Sequence, residues 1–393
     1  MHRPFRPMAA TLALATWAAV AALAGPAWAQ DPPTGPARDL LGLLPMPALD
    51  SNMVLYLDLS AIRATSKADW RTDRGIATLP EILRAPVTTD LQAPGGFAAH
   101  AGFGPDQIDQ IAVYETAPTP GPMAMRLQGA DPDTLVRTWG RHGYAESVFG
   151  DTKVWTRGTP GEMHLDRRDP TDPLGTMLGV SAVLGFDGST LLMARLPEVL
   201  VAMKAAAKLG TGAGSRIDLK RMLDALDRTL APKEMLAQLL WAPQPDAAGD
   251  AGFEAATATM TAPGATPDAA KDALTGASGI PSYPSLLLGE IREAGQAPSG
   301  LLAMLFADCT IADRAGVVAG AKWDAAAKNA NGDAAGVFGR MTVRWASVPV
   351  DGGCVLLGRA SGRDPDHPPF ADLNAMYMRR DLSPLYVGAP PKP

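Results

Sequence analysis

The sequence predicts an α+β fold: two similar halves of antiparallel or mixed sheet with helices packed on one face, a pattern that suggests an internal duplication. Two observations carry this expectation. Short β-rich runs joined by tight Gly-containing turns alternate with amphipathic helical stretches, a mixture that favours antiparallel or mixed sheets over a parallel α/β fold. The order strand, strand, helix, strand is also clearest from Ile111 to Gly158 and recurs nearer the C-terminus, although residue-level similarity between the two stretches is slight.

In chain order, residues 1–29 read as a signal peptide and 30–50 as a Pro/Gly-rich leader, whose patch Leu40-Leu41-Gly42-Leu43-Leu44 suggests a short docking helix. Met53 to Leu59 is the first clear strand, and Ser60 is placed to cap a short helix through Ile62 and Ala64. The stretch from Trp70 to Pro94 is ambiguous, with one helical turn around Pro80-Glu81-Ile82-Leu83. Phe97 to Gly102 reads as helix, and Gly104 to Asp109 as a turn feeding the strand at Ile111. Met123 to Gly129 alternates apolar and polar residues as a half-buried strand does.

Asp131-Pro132-Asp133 then supplies an N-cap, a proline at the first helical position and an acid for the positive end of the dipole. The helix it opens carries Leu135, Val136 and Trp139 on one face and stops at Gly143. Gly150-Asp151 turns one hairpin, and Asp187-Gly188 turns another between Val180 and Ala194. Leu196-Pro197-Glu198 opens a helix that Gly210 stops, and a second amphipathic helix starts at Ser215 or Asp218, carrying Leu219, Met222, Leu223, Leu226 and Leu230. Met235 to Trp241 is apolar, and its periodicity does not separate strand from helix.

The first half is bounded at 51–243, and 244–284 is a low-complexity linker or surface excursion with one short helix after Pro267-Asp268. The second half, 285–393, repeats the order: strands at Ser285–Arg292 and Leu301–Cys309, a helix at Ala312–Lys328, strands at Arg340–Val348 and Cys354–Ala360, a helix at Pro369–Arg379 and a Pro-rich tail. Trp139, Trp155, Trp323 and Trp345 occupy comparable places in the two halves, which reads as paired packing anchors before a carbohydrate platform.

The N-terminus gives an address. His2, Arg3 and Arg6 precede an uncharged apolar run from Met8 to Gly25, and Ala27-Trp28-Ala29 supplies the small-x-small pattern of a cleavage site after Ala29. The two arginines are not adjacent, so the pattern is Sec-type, and no cysteine follows the run to carry a lipid anchor. An uncleaved membrane anchor is the alternative, since the run is nearly long enough to span a bilayer. Cleavage would leave 364 of the 393 residues, with 33 basic and 41 acidic side chains and a formal charge of −8. The signal peptide predicts a periplasmic or secreted protein, and no later stretch is long and apolar enough to predict a stable transmembrane segment after cleavage. The acidic balance, with no basic run beyond pairs such as Arg167-Arg168, predicts that it binds no nucleic acid. Two cysteines in an exported chain, Cys309 and Cys354, are expected to form a disulfide, each at the border of a strand.

Every active-site template fails. The mature histidines His100, His142, His164 and His367 form no His-x-x-x-His pair, so no zinc site is visible, and His142 reads as a helix C-cap. The acidic loops around Asp166 and Asp364 lack calcium-loop spacing, and the methionines Met341, Met376 and Met378 read as core filler before copper ligands. Gly210-Thr-Gly-Ala-Gly-Ser215 resembles a phosphate loop but follows a helix and lacks Gly-Lys-Ser/Thr, so it reads as a flexible connection. Gly276-Ala-Ser-Gly279 is too short for a nucleophile elbow. No cofactor is expected.

The functional expectation is therefore a non-catalytic protein of the cell envelope that binds a small ligand or an envelope protein. Two alternatives stand beside it. One is an exported hydrolase assembled from the loops Thr159–Pro173 and Gly362–Pro369, with His164, Asp166, Asp364 and His367 as its candidates. The other is a structural envelope component. Convergence of those four residues in one concave site favours the enzyme, and scattered positions favour the binder.

Overall fold

The computed structural model describes residues 32–46, 53–66, 70–72, 95–116, 119–167, 172, 174–175, 179–243, 280–328, 333–364, 367–379 and 382–385. The signal peptide, the helical turn around Ile82, most of the 244–284 excursion and the Pro-rich tail lie outside them. Among the described residues one antiparallel sheet of twelve strands runs through both sequence halves. From its centre toward one edge stand β1 (Met53–Asp58), β2 (Ile108–Thr116), β3 (Thr119–Leu127), then β7 (Thr190–Ala194), β6 (Val183–Asp187), β5 (Thr152–Thr156) and β4 (Ala145–Phe149). Toward the other edge stand β8 (Met235–Pro243), β9 (Ser285–Arg292), β10 (Ser299–Phe306), then β12 (Gly353–Gly362) and β11 (Met341–Val350).

The seam between the two directions is the β1–β8 pair, in register at Leu55↔Leu240 and Tyr56↔Leu239. Met235 to Pro243 is thus strand, where periodicity alone did not separate strand from helix. Outward from the seam, each side begins with three strands adjacent in sequence order, passes to a helix, and returns with a hairpin whose second strand lies against the third. The first side carries one extra hairpin, β4–β5, turning at Gly150 with φ 64°.

The helices are α1 (Gly35–Gly42), α2 (Leu59–Thr65), α3 (Gly96–Ala101), α4 (Pro132–Arg141), α5 (Pro197–Leu209), α6 (Ile217–Thr229), α7 (Cys309–Lys328), α8 (Asp333–Arg340) and α9 (Pro369–Met378). They cover both faces of the sheet, and this corrects the expectation of helices on one face. On the first face α2, α4, α7 and α9 pack on Leu55, Leu57, Ile111, Leu288 and Leu302. On the second, α1, α5 and α6 pack on Val54, Tyr56, Tyr114, Trp241 and Leu287. The physical reason is readable in the central strands: β9 and β10 are buried at every position, and Leu286-Leu287-Leu288 or Leu301 to Phe306 shows no apolar–polar alternation. Uninterrupted apolar runs mark strands covered on both faces, whereas edge strand β11 alternates.

Local signals account for most element ends. Asp131 caps α4 by accepting from the backbone N–H of Thr134 at 3.1 Å, with Pro132 in the first position as its sequence dictates. Gly210 ends α5 in the left-handed region at φ 64°. The cap of α2 is Asp58 and not Ser60: Asp58 Oδ1 accepts from Ala61 N at 2.8 Å, and Ser60 donates its hydroxyl to the same oxygen at 2.5 Å. Helix α8, with Gly336 and Gly339 inside it, was not anticipated. Cys309 and Cys354 are joined, with Sγ–Sγ 2.09 Å and Cα–Cα 4.9 Å, pinning the start of α7 to the start of β12.

The aromatic anchors pair within each half. Trp139 of α4 meets Trp155 of β5 edge-on at 5.7 Å and stacks on Phe186 at 5.3 Å. Trp323 of α7 meets Trp345 of β11 at 6.4 Å and Phe338 of α8 at 4.9 Å.

Candidate ligand-binding site

The hydrolase candidates do not converge. His164 and Asp166 lie in the loop from β5 to β6, whereas Asp364 and His367 lie in the loop from β12 to α9, and seven strands separate β6 from β12. At a strand spacing of about 4.8 Å that is roughly 38 Å across the sheet. His164 Nε2 stands 3.5 Å from Glu162 Oε2, both side chains well hydrated, and Asp166 is exposed on a single 3₁₀ turn. The backbone carbonyl of Asp364 accepts from His367 N at 3.2 Å. His367 Nε2 is 3.0 Å from Asp372 Oδ1 without hydrogen-bond alignment, and Arg340 approaches the same carboxylate at 3.7 Å. An imidazole beside a carboxylate is two-thirds of a triad, but no hydroxyl or thiol among the described residues is hydrogen-bonded to that imidazole.

His142 does end α4, and its Nε2 lies 2.9 Å from the Ala99 carbonyl at the end of α3, its ring 4.5 Å from that of His100. That is a tie between two helix ends. Among the described residues no group of three or more His, Cys, Asp or Glu side chains is arranged to hold a metal.

The second face of the sheet holds a different arrangement, built around the seam. Val54 of β1 faces Tyr114 of β2 on one side and Trp241 of β8 on the other, so two large aromatic side chains flank a small floor residue. Over them comes Arg216, the residue that precedes α6. Its guanidinium carbon lies 4.7 Å from the Trp241 ring centroid, and its Nε donates to Asp218 Oδ1 at 3.0 Å. Asp218 is buried, and its Oδ1 also accepts from the Leu219 N–H at 3.0 Å. Stacking and a buried carboxylate together fix a guanidinium plane that is otherwise costly to order.

The segment before Arg216 is strapped down. Pro45 pairs with Gly212, and Ala213 N donates to the Leu44 carbonyl at 2.8 Å, so the end of α1 holds the Gly212–Ser215 turn. Glycine is required at 212 because a Cβ there would stand 2.0 Å from the Gly42 carbonyl oxygen. Helix α1 is in turn clamped to α6: Arg38 bonds Asp227 at 2.8 Å and Asp224 at 2.9 Å, and Thr34 donates to Asp227 through both its N–H and its hydroxyl.

Among the described residues, four buried polar atoms on this part of the face have no hydrogen-bond partner: Tyr114 Oη, Trp241 Nε1, Asp218 Oδ2 and Ser285 Oγ. Ser285 lies on the same face, opposite Pro243 and two residues along β9 from Leu287, which faces Trp241. Burial pushes the Tyr114 hydroxyl up, and the positive charge of Arg216 offsets part of that rise, so the hydroxyl stays a donor at neutral pH. An unpartnered buried donor or acceptor costs about 1–3 kcal/mol, so a group of them marks a place where a polar guest is worth most.

A second buried polar group, on the first face, is built on an ion pair, and it too has an atom, Gln238 Oε1, without a partner among the described residues. Arg292 Nε and Gln238 Nε2 both donate to Glu290 Oε1, the latter at 3.2 Å, with all three side chains buried in the sheet centre. Its charges are matched internally, as a structural pair requires. Comparison with protein-family models, curated proteins and solved structures gives no match for this chain.

The sequence did single out the Gly210–Ser215 stretch, as a flexible connection. The signal passed over was Arg216-Ile217-Asp218 directly after it: a cation and an acid two residues apart at a helix start, beside glycines that permit close backbone approach.

Proposed function

We propose that this chain is an exported, non-catalytic binding protein of the cell envelope whose ligand sits at the Tyr114–Arg216–Trp241 cluster. The observation that carries the reading is the set of unpartnered buried polar atoms grouped around one immobilised guanidinium. The scattering of His164, Asp166, Asp364 and His367 supports a binder over a loop-assembled hydrolase. Export rests on the N-terminal sequence, and the Cys309–Cys354 bridge fits an oxidising compartment. No helix among the described residues is long and apolar enough to cross a membrane.

The repeated order of strands about the β1–β8 seam, with a Trp–Trp–Phe cluster in each half, supports an internal duplication. In that reading the boundary between the two copies falls before β8, so that β1 to α6 and β8 to α9 descend from one unit. The terminal helices depart from it, since α5 and α9 cover opposite faces.

The binding reading is tested by thermal unfolding of the purified chain with fractions of envelope extract. A ligand at 100 times its Kd stabilises the folded state by about 2.7 kcal/mol, a readily measured rise in Tm. The rise is expected from at least one fraction and is expected to vanish in Arg216→Ala. Turnover of ester, glycoside or peptide substrates that is lost in His367→Ala would favour the hydrolase.

A further inference from the structure

Resting on that reading of the site, we infer that the Arg216 cluster recognises the carboxylate of a small amphipathic monoacid. The guanidinium is held by Nε to Asp218 and by its face to Trp241, while its side chain keeps about a quarter of its surface exposed. What remains is the Nη fork. No described residue accepts a hydrogen bond from it, and its two parallel N–H donors match a carboxylate bidentately. Trp241 Nε1, on the ring beneath the guanidinium, and Tyr114 Oη, which feels its charge, are buried neutral donors beside it with no partner among the described residues.

Charge decides between kinds of anion. Asp218 already neutralises Arg216, so the site carries no excess positive charge beyond the partial charge at the start of the thirteen-residue α6. Against that balance, and with the buried Asp218 Oδ2 in the same cluster, a phosphate dianion brings twice the uncompensated negative charge of a carboxylate, which ranks the singly charged anion first. Two of the exposed large apolar side chains flank the cluster: Ile217 follows Arg216 directly, and Met46 follows Pro45, which pairs with Gly212. Exposed apolar surface beside a rigid charged fork fits a molecule with an acidic head and an apolar tail.

The test is isothermal titration of the full chain with octanoate, octanol and octyl phosphate, for wild type, Arg216→Gln and Arg216→Lys. Glutamine keeps a planar donor for Asp218 but loses the charge and the fork, and lysine keeps the charge alone. Circular dichroism and the unfolding midpoint confirm that each variant is folded. Octanoate is expected to bind wild type in preference to octanol and octyl phosphate, to bind Arg216→Gln roughly 10- to 100-fold more weakly, and to bind Arg216→Lys in between. Octanoate binding that is absent, or equal in all three proteins, overturns the carboxylate inference. If a neutral molecule then co-purifies with wild type and is missing from Arg216→Gln, the cluster is still the binding site and only the ligand class is wrong. If nothing co-purifies with either, both fail together.

Discussion

Asp58 concentrates more hydrogen bonds than any neighbour at the end of β1. Its two oxygens accept from the Ala61 N–H, the Ser60 hydroxyl, the Tyr56 hydroxyl at 3.1 Å and Gln110 Nε2 at 3.0 Å. Asp58→Ala removes an N-cap and strands the buried Gln110 and Tyr56 groups, so a loss of about 2–4 kcal/mol is expected in urea unfolding. Asp58→Asn, which keeps an oxygen for Ala61, is expected to cost less. The sequence placed the cap at Ser60 because Asp58 also completed the strand's alternation, and periodicity outweighed capping preference. Arg216 was hidden for a related reason. Its role depends on Trp241, twenty-five residues away, and on Tyr114 in another strand, and no local pattern links the three.

At the scale of elements, α1 is a short helix whose docking depends on ion pairs. Burial raises the Asp224 carboxyl, but Lys220 and Arg38 outweigh it and leave its pKa below the usual 3.8. A carboxylate lowered in the folded state stabilises docked α1 above the unfolded value, and that contribution is lost as pH falls through the folded value. Amide protection over residues 37–44, taken relative to the intrinsic exchange rate at each pH, is therefore expected to fall as pH drops below about 4. In Asp224→Asn that acid step shrinks, while exchange at pH 7 is faster than in wild type. The disulfide acts on a longer element: it closes a separation of 45 residues, for which the chain-entropy model gives about 4 kcal/mol. Cys354 is fully buried and Cys309 only partly exposed, so reduction is expected to be slow without denaturant and to lower the unfolding midpoint once complete. These elements were largely legible, since Pro132, Gly210 and the Gly150 and Gly188 turns punctuate the chain. Helix α8 was not, because Asp333 to Arg340 is short with two glycines inside it, and Asn331-Gly332-Asp333 at its start reads equally as a turn.

At the scale of the molecule, the two sequence halves share one sheet, and α6, encoded in the first half, packs over β9, β10, β11 and β12 of the second. Leu287, Leu301, Leu305 and Val355 lie on the face it covers. A fragment of residues 285–393 lacks both α6 and the neighbour strand β8, so it is expected to expose that face and show no cooperative unfolding transition. A sharp transition in the isolated fragment would show that the halves are independent domains. The sequence conveyed the strand-and-helix order of each half but not their fusion into one sheet, because pairing of β1 with β8 joins positions about 185 residues apart and leaves no local trace. Helices on the second face escaped notice although the unbroken apolar runs of β9 and β10 required cover there.

A preorganised guanidinium stands at the seam of the sheet, and the proposal gives it an acidic guest. Native mass spectrometry of the chain purified from the envelope, wild type beside Arg216→Gln, tests it most directly. A stoichiometric small carboxylic acid is expected on wild type and is expected to be missing from the variant. Two folded proteins of bare polypeptide mass, or the same adduct on both, would contradict it.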